Sequence, residues 1–569
     1  MGSIAPSWQD KAAAKRQAVL DLIPVAWRLP QPLPAPKDQK DVTGAYVQQF
    51  LSPREVELTE ADVTQIVSNT TSGTWTATEV VTAFCHRAAI AHQLTSCLHE
   101  IFFSQAIAEA KLLDAKFAAS GGVASGPLHG VPVSFKDQFH VRGVETTMGY
   151  VGWIGTFEGK KGTGKEKVVE SELVREIRAL GGVPFCKTSL PHTVMSGVTW
   201  NHIVGFTRNP NNRLMSCGGS SGGEAALVAM KGSPVGFGTD IGGSIRIPSA
   251  FNGLYGIRPS FGRLPYVGAA NSMPGQNSVP SVCGPLAGSA ATLKLVLKSV
   301  LAQQPWHYDP AVVELPWRDS LAAALPATAA ELGQVLTFGL WEGDDQVAPT
   351  PPVKRAFATV KALIETLGHQ TIEWTPPSHT RATELAMQAF IADGGTDIHH
   401  HIGLSGEPLQ WRVAELYGTA PKAPTTADQL FDGNLELFQY RRDYMDYWNS
   451  TAALTKSGRP VDAILAPVAP GAAVELDNKN FHVGYTPWVN TLDYTAAVFP
   501  VTRVDPAIDV VEKDYTPLND LDKAIHEECI DNPQVQENTP VGLQLVGRRF
   551  QEEKILALVE MLSAALAQS

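Results

Sequence analysis

Residues 218–265 read GGSSGGEAALVAMKGSPVGFGTDIGGSIRIPSAFNGLYGIRPSFGRLP, and the order of glycine runs and apolar runs in that stretch decides the expected fold. The apolar run 234–238 predicts a short strand, and a glycine-flanked turn at 240–243 follows it. A helix is expected to begin near residues 246–248, because proline is tolerated in a first helical turn, and Gly253 closes it. Upstream, residues 224–231 predict a helix entered directly from the glycine-serine run 218–223. Glycines there permit positive φ and close approach of the backbone to a ligand, so that amide N–H groups line a cavity. A flexible linker is the competing reading, but linkers seldom lead straight into an apolar segment such as 225–230.

Outward from this stretch the same alternation continues. Val169, Leu173, Val174, Ile177 and Leu180 have helical spacing, end at Gly181-Gly182, and lead into the apolar run 183–186. The unit recurs as a strand at 335–340, a helix at 353–367 closed by Gly368, and a strand near 371–374. Strand–helix–strand alternation predicts an α/β sheet covered by helices on both faces. Residues of about 380–460 break the rhythm, being richer in helix formers and aromatics (Phe438, Tyr440, Tyr444, Tyr447, Trp448), and read as a helical insertion. Apolar runs return at 463–466, 496–501 and 541–546, before a final helix from about Glu552, and are expected to rejoin the same sheet. Residues 1–59 read as an amphipathic helix over 7–28 followed by a Pro-rich connector at 30–36 that should run extended. One large domain over 60–569 therefore fits better than the three or four that length alone would suggest.

The 569 residues carry 45 Lys plus Arg against 57 Asp plus Glu, a formal net charge of -12. That acidic balance argues against nucleic acid as a partner, since phosphate binding needs a basic surface. With 44% hydrophobic and 18% charged residues, the chain has enough apolar surface to bury a large core, which excludes a disordered or fibrous chain. Six scattered cysteines form neither a CxxC nor a disulfide pattern, so free thiols in a reducing compartment are expected. No secretory leader and no run of 18 apolar residues is evident, so a soluble cytoplasmic protein without membrane contact is expected.

Three segments carry chemistry: 131–137, 217–224 and 238–246. Lys136 ends an apolar run; burial without a partner depresses a lysine and turns an ammonium into a usable base. A snorkelling lysine paired with Asp137 or another acid is the bland alternative. Ser244 stands at a strand-to-helix turn with the N–H groups of Ile241, Gly242 and Gly243 around it, a nest of the kind a developing oxyanion requires. Residues 219–223 formally satisfy GxSxG, but a nucleophile elbow needs a strand immediately upstream, and 211–216 does not read as one. The loop 158–166 nearly spells a P-loop, yet Glu166 replaces the required Ser or Thr, so a solvated basic loop is expected. His399-His400-His401 reads as exposed polar surface, because consecutive helical residues cannot all face one ion.

Together the three segments resemble the amidase signature family, whose members carry a Ser–cis-Ser–Lys triad. Twenty-four residues separate Ser220 from Ser244 and 84 separate Lys136 from Ser220, both compatible with that family. The resemblance covers most of residues 60–569, with a signature core at about 131–290, and includes 280–286 and 539–547. The N-terminal segment 7–24 and the stretches 83–91, 145–150 and 270–276 look like the fungal acetamidase branch. The family implies a mixed, twisted central sheet. It implies Ser244 as acyl-accepting nucleophile, Ser220, on a cis peptide, as bridge, and neutral Lys136 as base. It further implies an oxyanion hole from the N–H groups of Ile241, Gly242, Gly243 and Ser244, substrate contacts from Val194, Met195, Ser220 and Ile241, and Ser221, Thr239, Asp240 and Arg246 holding the loops. No metal or organic cofactor is implied, and a homodimer is allowed by analogy.

The activity so implied is hydrolysis of the C–N bond of small amides to a carboxylic acid and ammonia or an amine. Carbamates, aryl amides and fatty amides are alternatives within the family, as is a glutamine-hydrolysing amidotransferase subunit. A nucleotide-binding protein using 159–165 and an α/β-hydrolase esterase are the readings from other classes; the esterase needs an essential histidine, which the triad does not.

Overall fold

A computed structural model describes residues 6–532 and 534–568. Thirteen strands follow in chain order: β1 (Leu98–Ile101), β2 (Pro132–Lys136), β3 (Val183–Thr188), β4 (Trp200–Asn201), β5 (Gly205–Phe206), β6 (Val235–Asp240), β7 (Tyr255–Arg258), β8 (Val282–Ala287), β9 (Thr337–Leu340), β10 (Gln370–Glu373), β11 (Ala463–Pro467), β12 (Thr495–Arg503) and β13 (Pro540–Gly547). Eleven form one sheet in the order β1-β3-β2-β6-β8-β7-β12-β13-β11-β9-β10, while β4 and β5 pair separately. The pairs β3–β2–β6 and β11–β9–β10 are parallel and those between them antiparallel, so the sheet is mixed. β2, β3, β6, β8, β11 and β13 are buried along their whole length, as expected of strands covered by helices on both faces. Phe135 of β2 and Phe237 of β6 lie in register and stack with ring centroids 5.7 Å apart inside the main apolar cluster.

The alternation read from the sequence is present. The helix Glu172–Ala179 leads into β3, Pro351–Thr366 joins β9 to β10, and Glu552–Leu566 follows β13. Between β10 and β11 lie the helices His379–Phe390, Thr396–Gly403, Trp411–Tyr417 and Ala427–Ser450, where the insertion was expected. Leu437, Tyr440, Tyr444 and Trp448 recur at helical spacing on the last of these and pack with Trp374, Trp488 and Tyr494.

The N-terminal reading needs correction. The helix Trp8–Asp21 ends seven residues earlier than expected, and a short turn Val25–Trp27 follows. Beyond the irregular connector, two further helices form, Ala45–Gln48 and Pro53–Glu60. Ser52 and Glu55 make a capping box at the second, a local signal the sequence carries. This stretch is not set apart from the core, since Val19, Ile23, Leu29, Val42 and Val47 are buried in a cluster with the helix Ala77–Thr95. His399-His400-His401 also departs from plain exposure: His399 meets the Tyr417 carbonyl, His401 accepts from Trp153 Nε1, and only His400 is exposed. The basic loop 160–165 is solvent-facing, as read.

The Phe135–Phe237 stack joins two central strands, so Phe237→Ala is expected to cost about 3–5 kcal/mol. Urea unfolding monitored by tryptophan fluorescence would show a lower midpoint, and an unchanged midpoint would contradict this account of the core.

Candidate functional site

Lys136 closes β2, and strand alternation turns its side chain to the same face as Ser134 while Phe135 points to the opposite core. Its amine is fully buried and donates to Ser220 Oγ at 2.6 Å and Thr239 Oγ1 at 2.8 Å. Asp137 is not its partner: it pairs with Lys187 across the end of β3 at 2.6 Å and accepts the N–H groups of Thr147 and Met148. Burial drives the Lys136 amine down to about 7, against the opposing pull of the Asp240 and Glu224 carboxylates. Glu224, buried one turn into the helix Gly222–Ala229, is itself pushed by burial up to about 8, although Ser134 and Thr188 donate to it at 2.6 and 2.8 Å.

The Gly219–Ser220 peptide is cis. Residues 211–220 form turns and irregular chain with no strand, so the GxSxG match is not a nucleophile elbow. Ser221 begins the helix; its hydroxyl donates to the Thr239 carbonyl and accepts the Thr239 N–H, and its own N–H donates to the Ser244 carbonyl at 3.1 Å. These bonds tie the serine loop to β6 and to the turn that follows it. Thr239 Oγ1 in turn donates to Gln138 Oε1 at 2.6 Å, which leaves its lone pairs to receive the lysine.

That turn, 241–245, is shaped around one buried ion pair. Arg246 reaches Asp240 through Nε and Nη2, each at 3.1 Å, and spends its remaining donors on Asn490 Oδ1, the Thr486 carbonyl and Gln544 Oε1. Burial alone would raise the Asp240 carboxyl, but the Arg246 guanidinium and Asn490 amide overcome it and hold the group far below the ordinary range. Asp240 also accepts the N–H groups of Gly243 at 2.9 Å and Ile245 at 3.1 Å. The Gly243 amide, expected among the oxyanion donors, is therefore already spent, because it faces the carboxylate that shapes the turn. Gly243 has φ +129, and a Cβ there would lie 2.3 Å from Thr486 Oγ1, so glycine is required for this turn to sit against Thr486.

Ser244, half-buried, faces a cavity of about 360 Å³ whose floor includes Gly219, Ile241 and Gly242. Val194 and Met195 line it, on a loop where Thr193 and Val194 both take positive φ. Ser220 lies beneath this floor, 2% exposed. The rest of the wall comes from the helical insertion, through Met387, Phe390, Trp411 and Leu416, and from the segment before β12, through Phe481 and Pro487; the sequence pointed to the insertion but not to which of its residues, nor to the segment before β12. As to metals, His192, His202 and Glu407 bring ligand-type atoms within 4.8 Å of one another. His192 Nε2 accepts the Gln410 N–H and His202 Nε2 meets the Pro408 carbonyl, while His192 Nδ1 and Glu407 Oε2 are buried without a hydrogen-bond partner among the described residues.

The fold thus brings together a buried lysine bonded to a serine loop, a second serine at a glycine-rich turn and a cavity above them. The chain belongs to the amidase signature family: the Amidase family profile matches residues 79–556. It is 42% identical to an acetamidase of Aspergillus oryzae, over 98% of this chain and 99% of that protein. It is 41% identical to an acetamidase of Emericella nidulans, over 97% of each chain. Among solved structures it resembles a fatty acid amide hydrolase, with a TM-score of 0.89 and 31% identity over 98% of this chain and 95% of that one. The protein is an amidase, a hydrolase acting on amide C–N bonds. Among the described residues no helix is long and apolar enough to cross a membrane.

Removing one partner of a buried, fully hydrogen-bonded pair leaves the other charge uncompensated. Arg246→Leu is expected to destabilise by about 3–5 kcal/mol, read as a lower melting temperature and faster proteolysis, with Arg246→Lys falling between it and the parent. Parental stability in Arg246→Leu would mean that the turn does not depend on this pair.

Proposed function

We propose that this amidase hydrolyses small neutral amides, in the manner of an acetamidase, through a Ser244–Ser220–Lys136 relay and an acyl-enzyme. Ser244 Oγ attacks the carbonyl carbon; its proton passes to Ser220, whose own proton passes to neutral Lys136. The N–H groups of Ile241, Gly242 and Ser244 receive the oxyanion, each such donor being worth roughly 2.7–4 kcal/mol in the transition state. Lys136 then returns a proton through Ser220 to the leaving nitrogen, the C–N bond breaks, and ammonia or an amine departs. Water resolves the ester by the same relay run again, releasing the acid and restoring the Ser244 hydroxyl. Nucleophile, relay, base and oxyanion donors are all groups of the chain, so the reading calls on no cofactor.

The single observation that carries this reading is the 2.6 Å bond from an amine held near 7 to the hydroxyl of the cis-linked serine, beneath the cavity that Ser244 borders. The cavity lies at the small end of the range for ligand sites, about 300–1,000 Å³. That size supports short acyl groups, and Met195, Met387, Phe390 and Phe481 give the wall an apolar face, with Arg412, Glu415 and Lys479 also in the lining. The likeness to the two acetamidases over nearly the whole chain supports the same choice over an amidotransferase subunit.

Turnover of an amide panel is the direct test. Ser244→Ala is expected to lose at least about 10⁴-fold in kcat and Lys136→Ala about 10²–10⁴-fold. Near-parental turnover in either variant would exclude the relay. Because the base is the neutral amine, kcat/KM should fall on the acid side of about 7, and this limb should vanish in the residual activity of Lys136→Ala.

Stability should move with pH in the same direction, over a higher window. In the unfolded chain the amine titrates near 10.5, against about 7 in the native state. Between those values the unfolded state holds a proton that the native state lacks, so this group makes stability rise with pH across the window. Below the window the buried ammonium is a full penalty. Lys136→Met is therefore expected to melt higher than the parent at pH 6, and a lower melting point would show the amine to be well solvated or paired.

A further inference from the structure

The helix Ala427–Ser450 buries Leu437, Tyr440, Tyr444 and Trp448 and presents a second apolar stripe to solvent. Phe431, Leu435, Phe438 and Met445 are 68%, 67%, 63% and 44% exposed. With Asp428, Arg442 and Asn449 they fall at spacings of three and four residues along one line of the helix, the pattern of a coiled-coil seam. Each exposed phenylalanine offers roughly 100–150 Å² of apolar surface, so the stripe approaches the largest patches that soluble monomers leave uncovered.

We propose that this stripe is a twofold self-association surface, covered by the same helix of a second copy running antiparallel. The charges on the seam select that occupant. Asp428 lies seven residues before Leu435 and Arg442 seven after it, and both are exposed. Antiparallel pairing centred on Leu435 sets Phe431 against Phe438 of the other copy, Leu435 against its counterpart, and Arg442 against Asp428 at both ends. A twofold axis through Leu435 sets that contact on the axis and makes the Phe431–Phe438 and Asp428–Arg442 contacts occur twice, as an isologous interface requires. Parallel pairing would instead oppose Arg442 to Arg442 and Asp428 to Asp428. A lipid surface fits less well, because the helix carries Asp428, Asp432, Glu436, Asp443 and Asp446 against only Arg441 and Arg442. Membrane-surface helices are rich in basic residues, and Arg441 is already bonded to the Thr491 and Ser278 carbonyls.

The test is sedimentation of the full-length chain at tens of micromolar, with amide turnover per chain as the control for folding. The parent is expected at twice the monomer mass. Arg442→Asp and Asp428→Arg should each sediment as monomers, since each places like charges at both ends of the seam. Mixed one to one, they should restore the double mass, because opposite charges then meet at both ends. A monomeric parent would overturn the proposal. So would a dimer that persists in Phe431→Ser/Leu435→Ser/Phe438→Ser, or two charge variants that stay monomeric when mixed. A monomeric parent that floats with phosphatidylcholine vesicles would overturn it in favour of a lipid surface.

Discussion

A cationic side chain placed where water cannot reach it must either find a counter-charge or lose its proton, and the centre of this protein is organised around that constraint. The Lys136 amine has two hydroxyl neighbours and no carboxylate in contact. The nearest acids are committed elsewhere: Asp137 to Lys187, Asp240 to Arg246, and Glu224 to two hydroxyls in a site that favours its neutral form. Each of those commitments is made by a different strand or loop, so the sheet as a whole withholds a counter-ion from one amine. On the proposed mechanism, that withheld charge is what makes the amine a base at neutral pH.

The second requirement is a rigid turn next to the base. The Asp240–Arg246 pair serves it by gathering two backbone amides onto one carboxylate and five acceptor contacts onto one guanidinium. Buried ion pairs contribute little net stability compared with apolar packing, but they define geometry, because the alternative is an unpaired charge. Thr486 adds a bond to the Gly242 carbonyl from the far side of the turn. The turn is thus held both by its own chain segment and by residues some 240 positions away.

The cavity shows a different division of labour. Its floor comes from the glycine-rich loops and its walls largely from the helical insertion. Floor geometry is set by backbone conformation, whereas wall chemistry is set by exchangeable side chains such as Met387, Phe390 and Trp411. The same insertion carries the exposed seam on Ala427–Ser450, so one excursion from the sheet shapes the pocket on one side and an outer face on the other.

Much of this was written in local sequence. Apolar runs of strand length, glycine helix stops and the proline-started helix were enough for the sheet and the insertion, because backbone preference and burial period act over a few residues, whereas Lys136, Ser220 and Ser244 were singled out by the resemblance to the amidase signature. The missed N-terminal helix Pro53–Glu60 was legible too, in its Ser52–Glu55 capping box. Partner choice was not. That Asp137 turns to Lys187, that the Gly243 amide is spent on Asp240, and that Asn490, Thr486 and Gln544 complete the Arg246 shell depend on which strands lie side by side and which loops cross above them. A side chain meets such partners through space, and the order of strands in an eleven-stranded mixed sheet is a global compromise of packing that no short stretch of chain contains.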